Sequence, residues 1–251
     1  MAFSGGVDST LLLAAAKEVL GDSVIGVTAV SSIVSRKEKD NAAFLANRLG
    51  VKQILCYPAV MDNDEFLKNT NDRCRVCKQI IFSEIKRISE ENGIRDIAHG
   101  VNTDDFNDYR PGIRAAEEMG IHAPLVEAGL DKETIRSLAK EMGLPNWDRP
   151  AMACLASRIP FNVPVHSSLL QMIEQSEAVL GSCGFHSCRV RYHGEIARIE
   201  IDQEDFDKIM DKKTRDYIVG ELKSLGFTYV AIDLQGYVQG SLNVSAVPPP
   251  G

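Results

Sequence analysis

A glycine-rich turn at the start of the chain has the residue types that suit an anion. It reads Ser4-Gly5-Gly6-Val7-Asp8-Ser9-Thr10 and leads into an apolar helical pattern. Its two glycines let the backbone turn tightly and approach a ligand, and the following helix points free N–H groups and its positive dipole end at the turn. Ser4, Ser9 and Thr10 add hydroxyl donors. The turn predicts a phosphate-binding loop that is not a Walker A loop, because the required lysine is missing. Asp8 either positions magnesium or only caps the helix.

Cysteines form the second set of candidate reactive residues. They stand at positions 56, 74, 77, 154, 183 and 188. In a reducing compartment, metal binding, catalysis or burial is expected of them rather than disulfide formation. Cys74 and Cys77 form a CxxC pair that precedes or opens a helix, where the dipole stabilises a thiolate. By itself the pair fits a zinc, redox or iron–sulfur site, and His99 or His122 could complete a zinc site. Cys56 is expected to be a buried thiol, and the last two cysteines have no assigned role.

Two arginines form a candidate anion grip. Arg189 and Arg191 are two residues apart on a predicted strand, so both point to one face. Paired guanidinium groups can bind a phosphate bidentately, although the pattern alone is also typical of a solvated strand face. Arg198 and Glu200 share a face as well and could simply pair with each other.

The elements that position these residues change character near residue 160. Helices are predicted at 9–20, 36–49, 77–92 and 132–143, and strands at 24–30, 53–57 and 96–101. Buried strands that alternate with helices indicate an α/β fold whose parallel sheet is covered on both faces. Only Met1–Phe3 precede the phosphate loop, fewer than the usual strand length. The first strand is therefore expected to be short or frayed, or the chain to lack an N-terminal segment.

Residues 146–165 interrupt this alternation and indicate an ordered loop or hinge. A helix at 167–180, a hairpin at 188–201 around His193-Gly194, two further helices and a strand at 229–234 follow. This order is typical of a smaller α+β domain. We predict domains at 1–160 and 161–244, and an unstructured tail at 245–251.

Composition excludes several classes of protein. The 251 residues include 28 Lys and Arg against 35 Asp and Glu, which gives a net charge of −7. This balance disfavours non-specific binding of nucleic acid, which depends on neutralising phosphates. No apolar run is long enough for a membrane span. No secretory signal opens the chain, so a cytoplasmic location is expected.

Several motifs together narrow the choice of family. The phosphate loop resembles that of the PP-loop ATP-pyrophosphatase superfamily. The further segments are DRCRVCK at 72–78, DYRPG at 108–112, PLVEAG at 124–129, WDRPAMACLASRIP at 147–160, RVRYHGEIARIE at 189–200 and DLQGY at 233–237. Together they resemble the ATP-dependent sulfur transferases of nickel-pincer-nucleotide biosynthesis, the LarE family, which supports lactate racemase maturation. The resemblance runs from Ser4 to about Asn243. It is specific through the combination of PAMACLASRIP at 150–160 with RVRYHGEIARIE at 189–200, which the phosphate loop alone would not be.

The resemblance implies a Rossmann-like domain that binds ATP and Mg²⁺. It implies that AMP is transferred to each carboxylate of a pyridinium-3,5-dicarboxylate mononucleotide, with release of pyrophosphate, and that each carboxylate then becomes a thiocarboxylate. A carboxylate is a poor electrophile, and AMP is a better leaving group. A homo-oligomer, a hexamer by resemblance, is expected.

The resemblance also assigns residues to each ligand. ATP and pyrophosphate would be held by Ser4, Gly5, Gly6, Val7, Asp8, Ser9, Thr10, Ser31, Gly100 and Asn102, and ligands do bind at the carboxyl ends of parallel strands. The substrate or AMP phosphate would be held by Ser157, Arg158, Arg189 and Arg191. The resemblance supports Glu200 as a site residue less strongly than these four. Arg110 would orient the nucleotide or substrate, or make only a structural loop contact.

Cys154 falls where this family places its sulfur-delivering cysteine. In some members that cysteine gives up its own sulfur and becomes dehydroalanine. In others three cysteines hold a [4Fe-4S] cluster whose remaining iron carries an extra sulfide. Cys74, Cys77 and Cys154 form such a three-thiolate set, so we predict the cluster version, with a sacrificial Cys154 as the alternative.

Two other functions stay open at this point. A tRNA thiolase would share the PP-loop and the three cysteines, but the acidic charge and the lack of a basic run argue against RNA binding. A non-catalytic domain that binds adenine nucleotides would need neither Cys154 nor Arg189.

Overall fold

The computed structural model describes residues 1–107, 111–150 and 153–238 of the chain. The chain divides into a first unit, Met1–Phe66 with Asp72–Met152, and a second unit, Leu67–Asn71 with Ala153–Gly251. The division falls at 152/153, whereas the sequence placed it at 160. The reason is that the intervening segment makes its contacts with the second unit. Arg158 pairs with Glu177 at 2.8 Å, and the Asn69 amide donates to the carbonyl of Pro160 at 2.8 Å.

The first half of the chain alternates helices with strands, as predicted. The helices are α1 (Val7–Leu20), α2 (Arg36–Arg48), α3 (Asp64–Leu67), α4 (Arg73–Glu91), α5 (Pro111–Glu118), α6 (Pro124–Glu127) and α7 (Lys132–Glu141), and the strands are β1 (Ile25–Ala29) and β2 (Lys52–Cys56). Side-chain caps fix two of these starts, because Ser35 accepts from the N–H of Glu38 and Asp131 accepts from that of Thr134. Helix α4 begins four residues earlier than predicted, so Cys74 and Cys77 both lie within it.

The parallel pair β1–β2 is extended by shorter segments. Ala2 forms a parallel bridge with Val27, and its N–H donates to the carbonyl of Ala98 at 2.8 Å. Ala98 in turn bridges His122. The expectation of a short first strand is confirmed. The strand predicted at 96–101 is reduced to the bridge at Ala98, because the backbone beyond it turns away into the contacts of Gly100 and Asn102 described below.

The sheet is covered on both faces. Phe3 packs with Leu13 and Leu45, from α1 and α2, whereas its neighbour Ala2 packs with Phe82 of α4 and residues around it. Adjacent residues of an extended segment point to opposite faces, so α1 and α2 lie on one face of the sheet and α4 on the other. This architecture is the predicted α/β fold with a parallel sheet.

The second unit is an α+β structure. Its elements are α8 (Ser167–Ser182), β3 (Cys188–His193), β4 (Ile196–Ile201), α9 (Phe206–Met210), α10 (Lys212–Ser224) and β5 (Tyr229–Ile232). Strands β3 and β4 form the predicted antiparallel hairpin, and β5 adds in parallel to β4. Gly194 forms the turn with φ +65°. The core of this unit contains Leu180, Phe185, Val190 and Ile199. None of the helices in the described ranges is long and apolar enough to cross a membrane.

Candidate active site

The phosphate loop is a backbone structure that Gly5 makes possible. Gly5 has φ +78°, and a Cβ there would lie 3.0 Å from the Cα of Ala42. Gly6 is the N-cap of α1 in an extended conformation, with no side-chain cap hydrogen bond. The first N–H groups of a helix have no partner within it, and here they point out of a sharp turn. The loop therefore has the geometry of an anion site.

The hydroxyl groups of the loop organise it from within. Thr10 is fully buried and donates to the carbonyl of Gly6 at 2.8 Å. Ser9 donates to the same carbonyl at 3.1 Å, and its oxygen lies 3.2 Å from that of Ser4. Ser4 is exposed. The sequence predicted three phosphate donors here, and the structure places Ser4 at the surface and uses the hydroxyls of Ser9 and Thr10 to shape the turn.

Asp8 lies in the first turn of α1 and is held by a cation that the sequence reasoning missed. Both of its carboxylate oxygens accept from Nζ of Lys132, at 2.7 and 2.6 Å. Lys132 is the first residue of α7, directly after the predicted cap Asp131. The ion pair joins the starts of two helices and brings a positive charge beside the phosphate loop. The sequence signal for it was only a lysine at a predicted helix start.

Gly100 and Asn102 border the same end of α1. A Cβ on Gly100 would lie 2.8 Å from the backbone nitrogen of Ser9, so only glycine lets this segment pack there. Asn102 is buried, and its side-chain oxygen accepts from the N–H groups of Asp104 and Asp105 at 3.0 and 3.2 Å. The structure thus brings both predicted residues to the phosphate loop's end of the unit.

Ser31 is the remaining predicted ATP residue, and it follows the first strand. Ser31 comes two residues after β1 ends, at the carboxyl end of the strand, where α/β sheets bind ligands. Thr28, near the end of the same strand, donates to the carbonyl of Phe3 at 2.8 Å. Arg110 lies outside the described residues.

The CxxC pair opens α4. Cys74 is exposed and Cys77 is half-buried, and both lie in the first turns of a 19-residue helix. Cys56 is buried as predicted, and burial raises the pKa of its thiol to about 11. Burial, with a smaller effect of the Lys78 charge, lowers the pKa of His99 to about 4. His99 packs edge-on against Phe82, with ring centroids 5.6 Å apart.

Cys154 belongs to the second unit, where the backbone around it is held by Arg158. Cys154 is half-buried and directly precedes a 3₁₀ turn at Leu155–Arg158. The Arg158 guanidinium donates to the carbonyls of Ala153 and Cys154 at 2.9 and 3.1 Å. It also donates to both carboxylate oxygens of Glu177 at 2.8 and 3.0 Å. Burial lowers the pKa of Arg158, but the charge and hydrogen bonds of Glu177 outweigh that effect and raise it.

Arg191 and Glu200 form a buried ion pair beside this turn. Nε and Nη2 of Arg191 donate to one oxygen of Glu200 at 3.0 and 2.8 Å. The remaining Nη1 of Arg191 donates to the carbonyl of Ser157 at 3.0 Å. Arg198 donates to the other oxygen of Glu200 at 3.0 Å, which confirms their predicted pairing. The second unit therefore brings Cys154, Ser157, Arg158, Arg191 and Glu200 into one connected network.

Arg189 makes different contacts from Arg191 on the same strand. Its guanidinium lies over the ring of Tyr237, 5.0 Å from the centroid, which is a cation–π geometry. Its Nη1 donates to its own neighbour's carbonyl, that of Cys188, at 2.7 Å. Arg198 also pairs with Asp233, with 3.5 Å between Nη1 and the carboxylate oxygen. We use the name arginine–carboxylate cluster for the following residues: Arg158, Arg191, Arg198, Glu177, Glu200 and Asp233.

Cys74, Cys77 and Cys154 have thiols whose chemistry suits an iron–sulfur cluster. Cys74 is exposed, and Cys77 and Cys154 are partly exposed. Within the described ranges, however, no three His, Cys, Asp or Glu side chains are grouped so that they could hold a metal ion. Two of the cysteines belong to the first unit and one to the second. The donor types fit the group, whereas a preformed three-ligand site is not present among these residues.

Comparisons with known proteins give the family. No protein-family model matches the chain. The chain is 37% identical over 247 residues to the pyridinium-3,5-bisthiocarboxylic acid mononucleotide synthase of Lactiplantibacillus plantarum, a match that covers 97% of this chain and 88% of that protein. This chain belongs to the pyridinium-3,5-bisthiocarboxylic acid mononucleotide synthase (LarE) family. The resemblance drawn from the sequence motifs is thereby confirmed.

The chain is also similar to two other proteins. An uncharacterised protein of Synechocystis sp. is 36% identical over 243 residues, which cover 97% of this chain and 91% of that protein. The argininosuccinate synthase of Haloarcula marismortui is 31% identical over 157 residues, which cover 58% of this chain and 37% of that protein. The shorter match supports the wider PP-loop relationship.

Proposed function

We propose that this LarE-family protein is an ATP-dependent sulfurtransferase. It adenylates the ring carboxylates of a pyridinium-3,5-dicarboxylate mononucleotide and converts them to thiocarboxylates for the nickel-pincer cofactor of lactate racemase. The observation that carries the proposal is the match over 97% of the chain to a relative named for the bisthiocarboxylic acid product. The phosphate loop supports it, because its geometry suits the triphosphate that adenylation consumes.

Adenylation is the chemistry of the first unit. A carboxylate oxygen of the substrate attacks the α-phosphorus of ATP, the bond to the β-phosphate oxygen breaks, and pyrophosphate leaves. Backbone N–H groups of the phosphate loop would hold the leaving phosphates, and Mg²⁺ would screen their charge. Lys132 holds Asp8 at the start of this loop's helix through an ion pair, which offsets the negative charge of that carboxylate near the phosphates.

Sulfur transfer would follow at the acyl adenylate. A sulfur nucleophile attacks the activated carbonyl carbon, and AMP leaves with the electron pair of the broken C–O bond. Cys154 would serve sulfur delivery, either as a ligand of the group that carries the sulfide or as the donor itself, and Arg158 holds the backbone carbonyl of Cys154 in place. Ser157, Arg158, Arg189 and Arg191 would bind the phosphate of the substrate or of AMP, and Glu200 would belong to the site as the partner of Arg191. Arg110 would orient the nucleotide or substrate. Arg191 is buried and paired with Glu200, so a phosphate would share or displace that partner, whereas Arg189 is half-buried.

The sulfur source is the finer part of the proposal. Cys74, Cys77 and Cys154 would hold a [4Fe-4S] cluster, which when bound supplies sulfide at its open iron. Protein purified without oxygen should then contain about four iron and four acid-labile sulfide per chain, and Cys74→Ala should lose them. Absence of iron, with loss of one H₂S from the protein mass after turnover, would identify Cys154 as a consumed donor instead.

Release of pyrophosphate tests the function itself. We expect ATP to be cleaved to AMP and pyrophosphate only when the dicarboxylate mononucleotide is present. Stimulation by tRNA would contradict the proposal and favour a tRNA thiolase. Binding of ATP with no cleavage under any condition would favour a non-catalytic nucleotide-binding domain. The hexamer and the cytoplasmic location stay predictions.

A further inference from the structure

The carbonyl group of Gly5 is held by two amide side chains from distant parts of the first unit. Nδ2 of Asn41, on α2, donates to it at 3.1 Å. Nδ2 of Asn146, in the segment after α7, donates to it at 3.0 Å. A carbonyl oxygen has two lone pairs, so these two donors saturate it.

The direction of this carbonyl decides what the phosphate loop presents to a ligand. In a trans peptide the C=O and the next N–H point in opposite directions. Holding the Gly5 oxygen on the side of Asn41 and Asn146 therefore turns the N–H of Gly6 the other way. That N–H donates to the hydroxyl oxygen of exposed Ser4, with 3.4 Å between nitrogen and oxygen, so it points to the side of the loop that a ligand can reach. A flipped peptide would aim a carbonyl dipole at an anion, which repels it.

Asn146 is built into the loop more deeply than Asn41. It is 4% exposed, and its Nδ2 also donates to the Thr10 hydroxyl at 3.0 Å. The Thr10 hydroxyl donates its proton to the Gly6 carbonyl. A reversed Asn146 amide would therefore place its Oδ1 against the Thr10 hydroxyl oxygen with no proton between them. Its Oδ1 is buried without a hydrogen-bond partner among the described residues. A buried acceptor without a hydrogen bond lowers stability. Asn146 nevertheless keeps the amide orientation in which Nδ2 donates to the Gly5 carbonyl.

The two asparagines are tied to each other's elements. Glu38, one turn before Asn41 on α2, pairs with Arg149, three residues after Asn146, at 2.9 Å. Arg136 of α7 donates to the carbonyls of Trp147 and Arg149 at 2.9 and 2.7 Å, which fixes the backbone of the segment. Both amide donors are thus held in place from outside the phosphate loop.

We propose that Asn41 and Asn146 are positioning residues of the phosphate loop, which hold the Gly5 carbonyl away from the bound triphosphate so that N–H groups face its β- and γ-phosphates. The inference rests on the proposed use of ATP, and nothing in the sequence motifs pointed to either residue. Neither side chain needs to touch the nucleotide.

The test measures dissociation constants of MgATP and AMP by calorimetry on the full chain. Asn146→Ala removes two hydrogen bonds that shape the loop, so we expect ATP to bind about tenfold more weakly, and Asn41→Ala about threefold. AMP lacks the β- and γ-phosphates, and its affinity should change by less than about twofold. The ratio of the ATP dissociation constant to the AMP dissociation constant, called the ATP-to-AMP ratio below, separates a positioning role from general damage to the fold.

Asn69→Gly is the matched control. Asn69 is also a buried asparagine whose Nδ2 donates to two carbonyls, those of Pro160 and Val163, but in the second unit. Glycine is chosen because Asn69 has φ +56°. This variant should lose stability and keep the wild-type ATP-to-AMP ratio.

Three outcomes would overturn the inference: an unchanged ATP affinity in Asn146→Ala, an equal weakening of ATP and AMP, or a wild-type protein that binds no ATP. Should Asn146→Ala not fold, Asn41→Ala on the half-buried face of α2 decides the question with the same ratio. If the wild-type protein binds ATP but never releases pyrophosphate, the proposed function fails while the affinities still decide this inference.

Discussion

The phosphate loop of the first unit and the arginine–carboxylate cluster of the second are both sites expected to meet anions, yet they are built in opposite ways. The loop is built from backbone groups. Gly5 has a left-handed conformation, helix α1 begins at the loop, and the carbonyls of Gly5 and Gly6 accept hydrogen bonds from within the first unit. The cluster uses side chains, and its arginines already have carboxylate partners, with Arg191 joined to Glu200 at 2.8 Å. A backbone site is ready for an anion, whereas the cluster has internal anions that a ligand must share or displace.

Breaking the cluster should have the largest effect on stability. Glu200 is fully buried and faces both Arg191 and Arg198. Glu200→Gln removes the carboxylate that faces buried Arg191 and partly exposed Arg198, so we expect the second unit to lose about 3 kcal/mol of unfolding free energy. Far-UV circular dichroism in urea measures it.

Glu195→Gln is the control for that substitution. Glu195→Gln makes the same chemical change at an exposed position of the same hairpin. There we expect a loss of about 0.5 kcal/mol or less of unfolding free energy. Equal effects of the two substitutions would contradict the view that the cluster is an internally compensated unit.

Breaking the backbone site should cost somewhat less stability. Gly100→Ala places a methyl group 2.8 Å from the nitrogen of Ser9, so the start of α1 must shift. We expect a loss of about 2 kcal/mol in the first unit and weaker ATP binding. Trp147, the only tryptophan, lies in the first unit, and its fluorescence reports this transition.

Gly181→Ala is the matched control on α8. A Cβ at Gly181 meets no atom within 4 Å, so alanine should be neutral or stabilising there by about 0.5–1 kcal/mol. A Gly100→Ala protein as stable as wild type, with unchanged ATP affinity, would show that α1 and the segment at Gly100 do not need their close contact.

The same contrast explains what the sequence could predict. Ser4–Thr10 is a local pattern, because glycine conformation and a helix start act within a few residues. The long-range contacts of Asn41, Asn146 and Lys132 to this loop span 36 to 141 residues and have no local signal. The segment at 96–101 was overpredicted as a strand since apolar composition cannot show where pairing stops.

In the second unit, the spacing of Arg189 and Arg191 correctly placed them on one strand. It could not show that Arg191 faces Glu200 while Arg189 lies over Tyr237. Nor could it identify Glu177 as the partner of Arg158, because α8 shows no motif around that residue. Side-chain sites depend on tertiary partners that charge patterns alone do not name.

Lowering the pH should destabilise the first unit through His99, by less than the substitutions above. The pKa of His99 is lowered to about 4 by burial and Lys78, whereas an unfolded histidine titrates near 6.5. Between these values the unfolded state binds more protons, so His99 lowers the stability of the first unit as pH falls from about 6.5 to 4. Because His99 is only partly buried, we expect about 1–2 kcal/mol.

His99→Gln should remove that part of the pH dependence of Trp147-monitored unfolding. His122→Gln, at an imidazole that is 55% exposed, should keep it. Identical pH profiles for wild type and His99→Gln would show that His99 is not buried as a neutral group.

The most direct test of the account follows both half-reactions in wild type and Cys154→Ala with the dicarboxylate mononucleotide and MgATP. If the first unit adenylates and Cys154 delivers sulfur, the variant should release pyrophosphate within about threefold of wild type and lose thiocarboxylate formation by at least about a hundredfold. Loss of both products together, or retention of thiocarboxylate, would contradict this division of labour.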